Sequence, residues 1–212
     1  MERGKGKRFF NNWGRMIVEE YKDYATYKQS KQIKQELKNI NMKEYYIGID
    51  PGKSGAIVII DLVKNTIWKY AMPLISKELD CERINDILFN YKDKNCHVVI
   101  EKVHALFGSG ASATFDFGYT CGALKALLIA NGLPFTMVQP KEWQKEVWQG
   151  ISELRKPGKE GKKGSIDTKG MALLAVKQLF PKEGLTGTER SKKAHDGIVD
   201  ALLMAEYGRR KF

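Results

Sequence analysis

Asp50 closes the apolar run YYIGID, Glu101 closes HVVIE, and Asp196 and Asp200 stand one helical turn apart in AHDGIVDALLMAEY. A carboxylate buried in apolar surroundings without a partner opposes folding strongly. Clustered acids also repel one another until a cation neutralises them. Four such residues at the ends of apolar segments therefore point to a divalent metal, and oxygen-only donors suit Mg²⁺. Two such ions, roughly 3.5–4 Å apart, activate water and stabilise the leaving 3′-oxygen of a phosphodiester. Asp196 and Asp200 share one helical face. Their neighbours Ile198, Val199, Ala201, Leu202 and Leu203 are apolar almost all round, so this helix is expected to be buried and both acids to need partners.

The elements that must position these acids can be read from hydrophobic pattern and turn chemistry. Strands are expected at 45–50, 56–61 and 66–70, joined by short turns, the first of them Pro51-Gly52-Lys53-Ser54-Gly55. A helix is expected over 77–91, with Leu79, Ile84, Ile87, Leu88 and Tyr91 inward, then a buried strand over 97–101. A helix over 111–131, a strand over 135–138 and helices over 141–149, 168–180 and 196–209 complete the chain. Three hairpin strands followed by alternating helix and strand predict an α/β fold: a mixed five-stranded sheet with helices on both faces. Ligands of such sheets gather at the carboxyl ends of strands. Asp50 and Glu101 fall there, on strands expected to be parallel neighbours.

Lys and Arg number 36 against 25 Asp and Glu in 212 residues, a formal charge of +11. Such an excess favours a polyanionic partner. The scattered Cys81, Cys96 and Cys121 give neither zinc spacing nor a disulfide framework, which points to a reducing, cytoplasmic setting. No stretch is apolar and long enough to span a membrane. Residues 1–41 hold ten Lys/Arg against five Asp/Glu, with interleaved aromatics, and read as a basic extension, helical from about Gly14 to Leu37 or flexible. Residues 42–212 form the main domain.

Several further residues are candidates for phosphate contact. Lys53 and Ser54 offer a cation and backbone N–H groups, although the same residues make a plain β-turn. Ser109, in Gly108-Ser109-Gly110, follows a strand tip where backbone can approach DNA, although the same loop also reads as a flexible lead-in to the next helix. The run RKPGKEGKKG carries Lys156, Lys159, Lys162 and Lys163 with Arg155 and one acid, and reads either as a DNA-contacting loop or as solvated surface. His195, beside Asp196, is either an orienting or proton-carrying neighbour of the metal site or a helix-start residue.

The segments IGIDPGKSG, VVIEKVHA, FDFGYTCGALKALL and HDGIVDALLMAEY, in this order and over about residues 44–209, resemble the RuvC-type Holliday junction resolvases, particularly phage-encoded members. The resemblance implies an RNase H-like fold, cleavage of four-way DNA junctions with two Mg²⁺ or Mn²⁺ ions per site, and a homodimer. It also implies that Asp50, Glu101, Asp196 and Asp200 are the catalytic metal ligands, that Lys169 lies near the scissile phosphate, and that a phage-encoded member would act in the host cytoplasm. Two departures stand out. Bacterial members often place the penultimate ligand three residues before the last, where this chain has Gly197. They also use an aromatic three residues after the strand-tip Glu to open the junction, where this chain has His104, with Phe107 nearby.

Other classes fit less well. A related RNase H-like nuclease acting on RNA or RNA–DNA hybrids needs the same acids, and fold alone does not separate the two. An actin-like sugar kinase or chaperone ATPase needs a second phosphate loop and a longer chain. A DNA-binding module with decayed chemistry would not be expected to keep all four acids.

Overall fold

The computed structural model describes residues 24–102, 110–158, 163–188 and 190–212. The chain divides into two compact units, 1–42 and 43–212. In the first, helix α1 spans Tyr24–Asn39. It ends where Asn41 takes φ 57°, which lets the Met42 N–H return to the Leu37 carbonyl at 2.8 Å. That six-to-one bond satisfies a carbonyl the helix would otherwise leave open.

The second unit is built on a five-stranded sheet. Its strands are β1 (Tyr45–Asp50), β2 (Ala56–Asp61), β3 (Thr66–Ala71), β6 (Cys96–Glu101) and β7 (Phe135–Val138), in the order β3-β2-β1-β6-β7. The two-residue strands β4 (Leu74–Ile75) and β5 (Glu78–Leu79) form a separate hairpin. β1 pairs antiparallel with β2 and parallel with β6, so the mixed sheet expected from the sequence is present. Helices α2 (Cys81–Phe89), α3 (Ala111–Ala130), α4 (Pro140–Val147), α5 (Thr168–Leu179) and α6 (Asp196–Lys211) complete the unit.

Period-two alternation sorts the central strands onto two faces. Ile47, Ile49, Ile57, Ile59, Val98 and Ile100 form one core cluster with Ile84 and Leu88 of α2 and Leu124 and Leu128 of α3. The opposite face, at Gly48, lies against α6. A Cβ on Gly48 would stand 1.9 Å from the Ala201 carbonyl oxygen, so strand and helix backbones meet there with no side chain between them. The N-terminus of α6 makes a second close approach: a Cβ on Gly197 would lie 2.6 Å from the Ser54 carbonyl oxygen and 2.7 Å from Gly55 backbone.

One expected element differs. The helix anticipated over 77–91 spans only Cys81–Phe89. Ser76 and Lys77 take φ 51° and 68° as the turn of the β4–β5 hairpin, and the Asp80 side chain then accepts the Arg83 N–H as the helix cap. Leu79 is buried as expected, but from a strand. Tyr91, beyond the helix, still packs edge-on against Tyr45 at 5.2 Å between ring centroids.

Replacing Gly48 with Ala forces backbone against backbone, which no rotamer change relieves. Urea unfolding of Gly48→Ala should show a loss of about 3 kcal/mol or more, the upper end for overpacked cores. An unchanged midpoint would mean that α6 lifts from the sheet freely.

Candidate active site

Parallel pairing sets Ile49 opposite Ile100, so Asp50 and Glu101 follow at the same end of adjacent strands. α6 crosses this sheet and brings Asp200, in its second turn, to them. All three carboxyls are partly buried. Burial, then the charges of Asp200 and Glu101, push Asp50 up to about 8. Burial, then Glu101 and Asp196, push Asp200 up to about 7 against the opposing pull of Lys169. Glu101 is raised by burial, and a hydrogen bond from the Trp143 indole N–H at 3.0 Å works in the other direction. Three acids from two strand tips and one helix thus sense one another's charge.

Asp196 departs from the expectation that both acids of α6 are buried. It occupies the first turn with its side chain 51% exposed, ion-paired to the Lys169 Nζ at 2.5 Å. Its negative charge suits the positive end of the helix. Its field reaches Asp200, so it belongs to the same acidic group, at the rim. The Gly197 contact explains the spacing. An acid three residues before Asp200 would drive its Cβ into the turn that follows Asp50, whereas Asp196 is half exposed beside Lys169.

His195 caps α6, its ring Nδ1 accepting the Ile198 N–H at 3.2 Å. That nitrogen is therefore engaged in holding the helix start. Lys53 is held by Glu78 at 3.0 Å and Asp116 at 3.6 Å, so its charge is matched inside the molecule, while Ser54 is exposed in the same turn. Lys156 and Lys163 are exposed on a hairpin-like excursion closed by the Lys156 N–H to Ser165 and the Asp167 N–H to Leu154, both at 2.9 Å. His104, Phe107, Ser109, Lys159 and Lys162 lie outside the described residues.

Two neighbours of the acids were not anticipated from sequence. Trp143, in α4 and only 1% exposed, donates to Glu101 across 42 residues of chain. Cys121, in α3, has its thiol pushed up to about 11 by burial and by the charges of Glu101 and Asp50. It is thus a protonated thiol at neutral pH.

The donor chemistry suits a hard divalent cation: carboxylate oxygens from two strand tips and one helix, within electrostatic range of one another. Among the described residues no group of three or more Asp, Glu, His or Cys side chains stands close enough to hold a metal ion as placed. Mutual repulsion resists closer approach, and a dication would reverse its sign.

The raised pKa values carry a stability consequence. Asp50 and Asp200 bind protons more tightly folded than unfolded, so their contribution is fully present below about pH 4 and is lost as pH rises through about 7 and 8. In metal-free buffer the melting temperature should fall between about pH 5 and 8, and Asp50→Asn should flatten that fall. Equal slopes for wild type and variant would show that Asp50 ionises as freely as in water.

No protein-family model and no curated protein sequence matches the chain. Among solved structures, it is similar to T. thermophilus RuvC in complex with a Holliday junction substrate, at 18% identity and a TM-score of 0.49, covering 79% of this chain and 96% of that one. It is also similar to a Thermus thermophilus RuvC structure, at 18% identity and a TM-score of 0.45, covering 78% and 96%. At this level of similarity, side chains rather than outline must carry function.

Proposed function

We propose that this chain is a metal-dependent, structure-selective endodeoxyribonuclease that resolves four-way DNA junctions. The observation that carries the reading is the meeting of Asp50, Glu101 and Asp200, whose burial and mutual charge hold Asp50 near 8. The four sequence segments that resemble RuvC-type resolvases support the choice of substrate. Asp50, Glu101, Asp196 and Asp200 are the residues that would hold Mg²⁺ or Mn²⁺, two ions per site. When bound, the ions supply an activated water and stabilise the leaving 3′-oxygen.

The chain's own residues do the rest. Gly48 and Gly197 let α6 lie close enough to bring Asp200 to the strand tips. Lys169, paired with Asp196 and 79% exposed, stands at the rim where a phosphate oxygen would approach. The basic excursion with Lys156 and Lys163 tracks the DNA backbone, and residues 1–41, which add net +5 but none of the acids, serve as an accessory arm. Three free cysteines suit a cytoplasmic setting, and no helix among the described residues is long and apolar enough to cross a membrane.

Paired symmetric nicks need two active sites related by a two-fold axis, which a second copy supplies. On α3, Phe115 is 73% exposed, Tyr119 55% and Ile129 61%, and with Gly122 and Ala126 they recur at alternating spacings of four and three. Such spacing draws one apolar seam along a helix. The homodimer forms through this seam in our reading. Light scattering should give a dimer for the wild type and a monomer for Phe115→Lys/Tyr119→Lys. A wild type that stays monomeric on junction DNA would contradict the pairing.

Asp50→Asn, Glu101→Gln and Asp200→Asn should each lower junction cleavage by orders of magnitude, while junction binding persists or tightens. Asp196→Asn tests the rim acid: cleavage at the wild-type rate in Mg²⁺ would remove it from the ligand set. Four-way junction, linear duplex and RNA–DNA hybrid substrates, assayed side by side with Mg²⁺, distinguish this activity from that of a nuclease acting on RNA. Preference for the hybrid would overturn the reading.

Changing Lys156, Lys159, Lys162 and Lys163 together to Ala should flatten the salt dependence of junction binding. Each lost phosphate contact should reduce the slope of log K against log salt by roughly 0.9. A slope equal to wild type would make this run ordinary solvated surface.

A further inference from the structure

Helix α4 touches the acidic group on one side and the far end of α6 on the other. Trp143, 1% exposed, donates its indole N–H to Glu101 Oε1 at 3.0 Å. One residue earlier, Glu142 accepts the Tyr207 hydroxyl at 2.8 Å. One turn later, the Glu146 carbonyl accepts from Arg210 at 2.9 Å and its carboxylate pairs with Lys211 at 2.6 Å. Tyr207, Arg210 and Lys211 all lie in the last turns of α6, whose first turns carry Asp196 and Asp200. A rigid indole, buried and anchored by its helix at three further points, has one polar atom, and that atom is spent on a strand-tip carboxylate.

We propose that Trp143 is a positioning residue for divalent-metal binding, and that it acts by fixing the Glu101 carboxylate. The inference rests on the metal-dependent nuclease reading given above. A carboxylate at a strand tip swings about its side-chain torsions, and like-charged neighbours drive it away. The indole N–H ties down one oxygen and leaves the other free for the metal. Such outer partners orient the ligand before the cation arrives, and their loss commonly weakens metal affinity 10–100-fold. The tie of α4 to α6 adds a second effect. The strand that carries Glu101 and the helix that carries Asp200 are referenced to one short helix, so the spacing of the two acids is set by packing rather than by the metal.

The test uses the full chain, with Mn²⁺ as the probe, titrated by calorimetry and by electron paramagnetic resonance of the free ion. Trp143→Phe keeps an aromatic ring but removes the N–H. Benzothienylalanine at position 143 keeps the bicyclic shape and replaces only the N–H by sulfur, so it remains informative even where Trp143→Phe misfolds. The benzothienylalanine protein should fold with a metal-free melting temperature close to wild type, and both should bind Mn²⁺ about 10-fold or more weakly. The metal concentration for half-maximal junction cleavage should rise in step. Wild-type Mn²⁺ affinity in the benzothienylalanine protein would overturn the role of the N–H, whatever Trp143→Phe does. A wild type that neither binds Mn²⁺ nor cuts junctions would overturn the nuclease reading itself and this inference with it. A wild type that does both, alongside an unaffected isostere, overturns the inference alone.

Discussion

The contact on which this site depends is made of backbone. At Gly48 the middle of β1 meets the Ala201 carbonyl of α6 with no room for a side chain. An ordinary helix–sheet interface keeps its partners apart by the thickness of two side-chain layers. Here that layer is missing at one point, and α6 lies closer to the central strand. Asp200, one residue before the contact, is thereby brought within electrostatic range of Glu101 and Asp50. The β1–β6 register would still align Asp50 and Glu101 without it, but the helix-borne acid would stand off.

Holding acids this close to one another is unfavourable, and the surrounding structure offsets part of that cost. α6 starts at the acids, so the positive end of its dipole lies beside Asp196. Its negative end is matched by Arg209, Arg210 and Lys211. There Glu206, its side chain only 2% exposed, is bridged by both Arg209 and Arg210. A buried charge is tolerable when its hydrogen-bonding capacity is filled in this way. The two ends of the helix thus differ: the far end is electrostatically complete, and the near end is left with excess negative charge.

The sheet was legible in the sequence because its strands are short apolar runs between strong turn signals, and tertiary packing agrees with those local preferences. The acids were legible for a related reason, since a carboxylate at the end of such a run has no packing rationale. What the sequence did not reveal came from coincidences of phase and from distance. Leu79 sits five residues before Ile84, near enough to a helical repeat to extend the helix inward, yet it is buried from a hairpin whose turn falls on Ser76 and Lys77. Neither residue is a customary choice for φ above zero. Trp143 reaches Glu101 over a separation no local pattern spans. Lys53 follows an acid in a turn, as a phosphate-binding residue would, and only the folded chain shows Glu78 and Asp116 already beside it. Asp196 was judged by the apolar company of its helix, but a first-turn residue can face outward while its neighbours pack.

The contact at Gly197 bears on how such a site can change over evolutionary time. Moving the rim acid from position 196 to position 197 would place a side chain against the backbone of Ser54 and Gly55. The turn after Asp50 would have to be reshaped in the same step, and that turn also carries Lys53 and its two acidic partners. A single substitution would cross a valley in which the protein folds poorly or has one acid fewer beside Asp200. The spacing of the acid pair in this chain is therefore locked to the turn that follows Asp50, and the two can change only together.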